Sequence, residues 1–329
     1  MATVRLSNII EPSIFTDYIV RNSLVRTAFF QSGVITPNSV IQDQIQAGSH
    51  QFTVPVWNDL SDTEADIVSD DPSEFSSPRG LTSDKQVVRK AFLHTSFSTM
   101  NLASEIAGDD AMTRIQSRVQ AYWDRQWQKR LIATLNGLKA DNEANDGGDM
   151  VNDISGATGE AAKFSAGAVI ETAGSLGDRL EDISAIAMHS DVYRKALKDD
   201  LIEFVPDSQG SMTLPTFRGL AVVQDDGLPN DGTSFTTVMF GVNALGFGVS
   251  APRIADATEI ESLPSAGNGG GQQVLHSRFN FAIHPAGFTW NENTVAGESP
   301  TIAELSNPLN WNRVAARKQS PLAFLVSQV

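Results

Sequence analysis

SEIAGDDAMTRIQSRVQAYWDRQWQKRLIATLNGL, residues 104–138, carries the strongest helical pattern in the chain. Its apolar residues recur every three or four positions along one stripe: Met112, Ile115, Val119, Trp123, Trp127, Leu131, Leu135 and Leu138. Ser104 is the predicted N-cap, and Gly137 lies near the predicted end. At 1.5 Å per residue the helix would be about 50 Å long. Such a length is unusual in a compact enzyme domain and suits the backbone of an elongated subunit.

Upstream of this helix, the sequence predicts a long hairpin. Phe52, Val54 and Val56 alternate with polar or solvent-facing positions, which indicates a strand, and Pro55 favours an edge position. A second β-rich run covers 87–99, and the intervening segment 59–84 is acidic. Paired, these runs would make 50–97 one hairpin with arms of at most about 75 Å. The alternative is a mobile acidic loop without a function.

The acidic segment reaches Arg79 before it contains a basic residue. Its carboxylates up to that point are Asp59, Asp62, Glu64, Asp66, Asp70, Asp71 and Glu74. A structureless segment of this length is uncommon inside a compact domain. It therefore indicates a functional or a disordered loop.

The remainder of the chain reads as a helical arm followed by an α/β region. Pro12 opens a predicted helix within 8–35, and 139–159 is predicted to be a loop. Strands are predicted at 183–188, 219–223, 235–249 and 274–284, with a helix that Ser190 caps and a glycine loop at 268–271. Along 274–284 the predicted core face carries Leu275, Phe279, Phe281 and Ile283, and the predicted wet face carries His276, Arg278, Asn280 and His284.

Composition excludes several classes of protein. A chain of 329 residues can bury roughly three quarters of its unfolded surface, and without cysteine it has neither disulfides nor thiolate metal sites. The net charge of −15 argues against a dedicated nucleic-acid binder, because such binding depends on lysine and arginine. Residues 1–10 do not resemble a secretory signal, and no stretch is long and apolar enough to span a bilayer. We expect a soluble protein that is made in the cytoplasm.

No pattern of catalytic or cofactor-binding residues emerges. The five histidines lack the spacing of a zinc protease, and neither a G-x-S-x-G elbow nor a phosphate-binding loop occurs. Gly246, Gly248 and Ala251 have a loose dinucleotide-binding spacing, but Pro252 follows at once. We predict no catalytic, cofactor or metal site. Two alternatives stay open, namely a loop metal at Asp141, Glu143, Asn145 and Asp146, and a hydrolase with a nonlocal site around His189 and Asp191.

Three segments resemble major capsid proteins of tailed bacteriophages with the fold named after phage Hong Kong 97. Residues 187–226, AMHSDVYRKALKDDLIEFVPDSQGSMTLPTFRGLAVVQDD, are similar to the family's methionine-histidine-serine run, short helix and P-T-F-x-G turn into a strand. EPSIFTDYIVRNSLVRTAFFQSGVI at 11–35 and FAIHPAGFTW at 281–290 are less specific. The resemblance implies an icosahedral head shell that encloses double-stranded DNA.

The implied fold class is α+β, with parts in the order that the residue patterns predict. These parts are an N-terminal arm at 1–49, an extended β-hairpin loop at 50–97, a peripheral domain with a long spine helix at 98–160, an axial domain at 161–271, and a return to the peripheral domain with the C-terminal segment at 272–329. The spine helix would be 104–138. An encapsulin-like or minor virion shell protein is the alternative within this fold.

The resemblance also implies partners. We expect a homo-oligomer of hexamers and pentamers, built into the virion capsid in the host bacterial cytoplasm, without a cofactor or a membrane. Because the arm begins almost at residue 1, we expect a separate scaffolding protein, besides portal and decoration proteins. Packaged DNA would make only loose contact. Lys85 and Lys90 lie in or beside the loop, but no acceptor matches the lysine-to-asparagine links of some relatives, so that chemistry is not predicted here.

Eight residues are the predicted intersubunit contacts: Phe52, Trp57, Asp70, Asp71, Arg79, Lys85, Arg118 and Arg125. The acidic loop needs a basic surface on the adjacent subunit. The basic residues of the spine helix, Arg114, Arg118, Arg125, Lys129 and Arg130, are one candidate for it. Two other interpretations of these residues stay open, a wall facing packaged DNA and a solvated helix face.

Overall fold

The computed structural model describes residues 3–4, 29, 35–57, 60, 63–73, 75–81, 83–206 and 213–329. The helix predicted from Pro12 lies outside these residues. In this described part of the chain, no helix is long and apolar enough to cross a membrane.

Strands and helices alternate along the described chain. The strands are β1 (Thr3–Val4), β2 (Thr36–Pro37), β3 (Gln51–Trp57), β4 (Ser83–Arg89), β5 (Ala91–Met100), β6 (Val151–Asp153), β7 (Ile183–Met188), β8 (Glu203–Pro206), β9 (Thr213–Phe217), β10 (Leu220–Gln224), β11 (Ser234–Gly241), β12 (Leu245–Ser250), β13 (Thr258–Leu263), β14 (Gln272–Pro285), β15 (Phe288–Trp290), β16 (Trp311–Arg313) and β17 (Leu322–Gln328). The α-helices are α1 (Ser39–Ile45), α2 (Asn101–Ala107), α3 (Ala111–Asn145), α4 (Ala166–Gly174), α5 (Ser190–Lys198) and α6 (Ile302–Leu305).

A seven-stranded mixed sheet has the order β6-β17-β11-β7-β10-β9-β8. Its central strands are apolar on both faces, as expected for a sheet covered on both sides. Along β11, Val238 and Phe240 join the core that contains α3, whereas Met239 joins the core under α4 and α5. Helices therefore enclose the sheet from both sides.

A six-stranded sheet is built around β14, the longest strand. It has the order β1-β5-β14-β12-β2, and β13 also pairs with β14. The predicted core face is confirmed at Phe281 and Ile283, which pack in the core with α3. The prediction that the opposite face is wet was wrong in the second half of the strand, because Asn280 and His284 are buried. There α1 covers the sheet, and Ile41 and Ile45 pack on Ala282.

The two sheets cross the predicted domain limits. β12 and β13 lie within 161–271 but pair with β14, which lies in 272–329. Conversely, β17 lies within 272–329 but pairs along its length with β11, which lies within 161–271. The chain therefore passes between the sheets more often than the linear division implies.

The long helix α3 differs from its prediction at both ends. It begins at Ala111 with Asp110 as its N-cap, because Gly108 adopts a left-handed φ of 67° and ends the short helix α2. It continues to Asn145, so that its 35 residues span about 52 Å. The prediction that Ser104 caps it was wrong, and so was the prediction that the helix ends at Leu138 and a loop begins at residue 139.

The apolar stripe of α3 is confirmed as the centre of the core. Trp123, Trp127 and Leu131 are buried in one cluster with residues from both sheets. Trp127 stacks on Phe281 with ring centroids 6.1 Å apart, and Trp123 meets Phe279 edge-on at 5.2 Å. The helix therefore joins the six-stranded sheet to the seven-stranded one.

Gly137 lies inside α3 because two residues approach the helix closely there. A Cβ atom at this position would be 2.2 Å from the carbonyl oxygen of Leu305 and 2.6 Å from the indole nitrogen of Trp311. That indole nitrogen donates to the Leu305 oxygen at 2.8 Å. Packing, and not a helix end, accounts for this glycine.

The predicted hairpin is confirmed between β3 and β4, which pair from Gln51 opposite Arg89 to Trp57 opposite Ser83. The second predicted β-rich run, 87–99, is divided at Lys90 into the end of β4 and most of β5. β5 pairs with β14 and not with β3. The two paired arms are therefore seven residues long, about 23 Å. This is far shorter than the upper limit of 75 Å that the sequence allowed.

The predicted loop at 139–159 begins as the last two turns of α3, which removes the basis for a calcium loop there. Asp141 is fully buried on this helix, and Asn145 donates to its carboxylate at 2.7 Å. Burial, with a smaller contribution from the neighbouring charge of Asp146, raises the pKa of Asp141 to about 6. The folded state therefore favours the protonated carboxyl.

We expect Gly137→Ala to lower the free energy of unfolding by about 1–3 kcal/mol, because the added methyl group overlaps backbone and indole atoms that are fixed by packing. Urea denaturation measures this change. Gly174→Ala is the matched control, since Gly174 also lies in a helix and has no atom near its Cβ position. Equal stability of the two variants would contradict this account of Gly137.

We expect Asp141→Asn to remove a pH dependence of stability. Because the folded-state pKa is raised, Asp141 contributes stability below its unfolded pKa near 4 that is lost as the pH rises through about 6. The variant should therefore be more stable than the parent at pH 7.5 by about 1–3 kcal/mol, with a smaller difference at pH 4.5. Thermal unfolding at the two pH values measures it, and Asp43→Asn, at an exposed site, is the control. A difference independent of pH would refute the assignment.

Candidate functional site

The loop between β3 and β4 is the most exposed segment of the described chain. Every described residue from Thr63 to Leu81 is exposed. Arg79 donates to the carbonyl oxygens of Thr63 and Glu64 at 3.1 and 2.8 Å, and it pairs with Asp66 at 3.2 Å. The loop thus uses its arginine internally to join its two branches.

Carboxylates dominate the outer surface of this loop. Asp70 and Asp71 are both exposed. Ser73 donates to Asp71 through its hydroxyl and its backbone N–H, at 2.7 and 2.9 Å, and these bonds lower the pKa of Asp71. Asp59, Asp62 and Glu74 lie outside the described residues. The described carboxylates present a negative surface at neutral pH.

Three large apolar side chains in the same loop are almost fully exposed, and none of them is among the contact residues predicted from the sequence. Ile67, Val68 and Phe75 are 89%, 95% and 87% exposed. Apolar residues within an otherwise polar segment, without a helical or strand period, were the available signal. Exposed apolar residues concentrated on one projecting loop mark an interaction site.

The base of the hairpin is fixed to the body by buried charged groups. The Arg89 guanidinium donates to the carbonyl oxygens of His50 and Glu298, at 2.8 and 2.9 Å, and lies 2.7 Å from the Glu292 carboxylate. The fully buried Lys90 ammonium donates to the Ala47 oxygen at 2.7 Å. Burial lowers the pKa of Lys90. A rigid root therefore carries the exposed loop.

The other predicted contact residues of the hairpin have different surroundings. Phe52 is half-buried, packs against the core of α1, and lies under the Lys90 ammonium at 5.7 Å. Lys85 is exposed on β4, opposite Pro55. Trp57 pairs with Ser83 at the outer end of the hairpin. Phe52 thus packs largely within its own chain, whereas Lys85 is available to a neighbour.

Basic side chains form a second surface on α3. With 3.6 residues per turn, Arg114, Arg118, Arg125 and Lys129 fall within about 60° of one another, opposite the tryptophan stripe. Arg114 bonds to Asp109 at 3.0 Å, whereas Arg118 and Arg125 are half-buried and Lys129 is exposed.

Arg130 does not belong to this surface, contrary to the prediction. It is buried and donates to the Pro300 oxygen at 2.9 Å, and burial lowers its pKa to about 10.

The alternative site at His189 is occupied by structural contacts. His189 is the N-cap of α5, and its Nδ1 accepts from the backbone N–H of Asp191 at 3.2 Å. Its ring packs on Phe235 at 5.0 Å. Among the residues that the structure describes, no group of three or more histidine, aspartate or glutamate side chains has an arrangement that would hold a metal ion.

Comparisons with known proteins agree with this geometry. A family model described as Gp13-like, major capsid protein 13-like, matches residues 116–321. The major capsid protein of Bacillus phage SPP1 is 34% identical over 325 residues, which cover 95% of each chain.

Solved capsid structures share the fold at low sequence identity. The cyanophage Pam1 capsid asymmetric unit has a TM-score of 0.61 at 12% identity, with 96% of each chain covered. The capsid of Ralstonia phage GP4 has a TM-score of 0.60 at 9% identity, with 97% of this chain and 96% of the other covered. These likenesses confirm the predicted α+β capsid fold of the Hong Kong 97 type.

Proposed function

The chain belongs to the Gp13-like major capsid protein family, and from this membership we propose that it assembles with copies of itself into the icosahedral head shell that encloses the double-stranded DNA of a tailed bacteriophage. The observation that carries the proposal is the exposed loop with Ile67, Val68 and Phe75, mounted on the rigid root at Arg89 and Lys90. A monomer that leaves such a surface in water is incomplete.

In the shell, the loop of one subunit lies across the adjacent subunit. Asp70 and Asp71 face the basic surface of α3 there, chiefly Arg118, Arg125 and Lys129. Arg79 of the loop bonds within the loop, so the charges that the loop presents outward are negative. They complement the positive charges of α3. Lys85 and Trp57 contact the neighbour near the hairpin, whereas Phe52 and Arg79 support the loop from within.

Each such contact can be weak on its own. Burying the three apolar side chains of the loop would contribute about 1.5–3 kcal/mol each when complete. Exposed ion pairs add about 0–1 kcal/mol each and mainly fix the orientation of the partners. Closed symmetric shells repeat every contact many times, so weak contacts suffice for a stable assembly.

We also propose the division into arm (1–49), extended loop (50–97), peripheral domain (98–160 and 272–329) and axial domain (161–271). The two sheets support a peripheral unit around β14 and an axial unit around β11. The pairing of β12 and β13 with β14, and of β17 with β11, supports counting β12 and β13 with the peripheral unit and β17 with the axial one.

The protein acts through association and carries no active site of its own. The contacts of His189 described above support this part of the proposal, since the ring caps a helix. Assembly takes place in the host cytoplasm, with separate scaffolding, portal and decoration proteins, and DNA touches the inner wall only loosely. Packaged genome and a high copy number per particle would distinguish this function from an encapsulin-like or minor virion protein.

The first test is a charge reversal in the loop. The parent protein should form closed particles of megadalton mass, visible by electron microscopy and on a sizing column. Asp70→Lys with Asp71→Lys should reduce their yield at least about tenfold, through repulsion from the basic surface of α3. The melting temperature of the subunit should stay unchanged, because both side chains are exposed.

Glu171→Lys with Glu181→Lys is the matched control for this test. It introduces the same change in net charge at exposed positions outside the loop. Undiminished particle yield from the loop variant would refute the pairing of loop and helix. Failure of the parent chain to form particles under any assembly condition, with its scaffold present, would refute the proposed function itself.

The second test concerns the apolar residues of the loop. Ile67→Ser, Val68→Ser and Phe75→Ser combined should raise the protein concentration needed for assembly at least about tenfold, because a contact surface that excludes water is lost. Subunit stability should not fall, since these side chains are nearly fully exposed. Light scattering over a concentration series measures assembly. Ile254→Ser, at an equally exposed site outside the loop, is the control, and equal thresholds for both variants would contradict the assigned role.

A further inference from the structure

Two histidines face each other on neighbouring strands of the six-stranded sheet. Nε2 of His94, on β5, lies 3.1 Å from Nδ1 of His276, on β14. The ring centroids are 5.4 Å apart and the ring planes differ by 25°. The ring centroids are farther apart than the two nitrogens by about the sum of the two ring radii. The facing nitrogens therefore lie on the line between the ring centres, and the rings meet head-on. A contact of this kind requires one proton between the two rings.

The pair lies on the sheet face turned away from α3. Side chains alternate along a strand, and the neighbouring residues Leu93 and Phe279 pack towards α3. His94 and His276 therefore point to the opposite face, where water can reach them. Protons can exchange with the pair without unfolding of the core.

The carboxylate of Glu261, on the edge strand β13, determines which nitrogens carry hydrogen. It lies 3.2 Å from Nε2 of His276 and keeps a hydrogen there. Nδ1 of His276 is then the acceptor, and Nε2 of His94 is the donor. Nδ1 of His94 remains the one free basic nitrogen of the neutral pair.

The other charged groups at the pair are Arg278, on β14, and Glu259, on β13. Arg278 is the register partner of His94 and pairs with Glu259 at 2.9 Å. The pKa of His94 is lowered by partial burial and by the charges of His276 and Arg278.

A metal ion does not fit between the rings. A structural zinc ion takes four ligands and a catalytic one at least three from the protein. The described part of the chain offers no third ligand beside the two imidazoles. The proton is therefore the occupant of this contact.

We propose that His94 and His276 form an acid-sensitive latch that joins β5 to β14 and opens when both facing nitrogens are protonated. One added proton leaves the bond in place, because one of the two facing nitrogens still lacks a hydrogen and accepts. When both facing nitrogens carry hydrogen, the acceptor has become a donor and the bond breaks. The open latch then places two imidazolium ions beside Arg278.

The direction of the pH effect follows from this order. Because the pKa of His94 is lowered in the folded state, the folded state binds fewer protons than the unfolded state at acidic pH. The stabilisation is complete above the unfolded histidine pKa, near 6.5, and is lost as the pH falls through the lowered folded value.

Only Lys90 separates β5 from the hairpin, so an open latch loosens the strand that leads into the exposed loop. An effect on the shell rests on the proposed function, whereas the latch itself does not.

Hydrogen–deuterium exchange of the purified full chain tests the latch. His94→Gln is the main variant, because its amide can donate to His276 but cannot titrate, and His50→Gln replaces an exposed histidine outside the pair. At pH 7.5 peptides from 91–100 and 272–285 should exchange equally in all three proteins. At pH 4.5 they should exchange about tenfold faster in the parent and in His50→Gln than in His94→Gln, because local opening of the strand pair becomes more populated.

Two results would overturn the latch. One is a ratio of parent to His94→Gln exchange rates that is the same at both pH values, which would show a merely structural contact. The other is acid-induced exchange that persists in His94→Gln. Hydrogen–deuterium exchange is measured on the isolated subunit and does not depend on assembly. A negative exchange result therefore says nothing against the particle assays of the proposed function. A negative particle assay likewise says nothing against the latch.

Discussion

The two tryptophans of α3 are buried between the two sheets, and their packing sets the positions of both sheets. Trp123 and Trp127 meet Phe279 and Phe281 of β14, while the same cluster extends to Phe240 of β11. Neither sheet could stay in place without this shared core. The requirement also explains why Gly137 is tolerated inside a helix, because the segment at Leu305 and Trp311 packs directly on the backbone there.

The exposed loop depends on this core indirectly. β4 and β5 are consecutive strands, and the single residue between them, Lys90, is buried with its ammonium on a backbone oxygen. Arg89 adds bonds to two further carbonyl oxygens. Desolvated charges of this kind are costly to leave unpaired, so the root has one favourable geometry. A well-defined root lets an otherwise unsupported loop present its apolar and acidic side chains in a defined direction.

The two surfaces that we propose to meet carry opposite charges. In the loop, Arg79 bonds within the loop and the aspartates stay exposed. On the basic surface of α3, Arg125 is half-buried and Lys129 is exposed. A chain with a net charge of −15 repels its copies at long range. Local complementarity therefore selects the orientation of a contact, and the apolar side chains contribute most of its free energy.

Local periodicity and contiguous residues were enough to predict the long amphipathic helix, the pairing of the hairpin, the acidic loop and the family. Packing in three dimensions set the start of α3, paired β5 with β14 instead of with the hairpin, and buried Arg130, Asp141 and His284. Those outcomes depend on neighbours distant in sequence: Pro300 for Arg130, Arg313 for Asp141, and Gln86 for His284. Propensity and pattern act over a few residues, whereas burial and the partner of a polar group are properties of the packed chain.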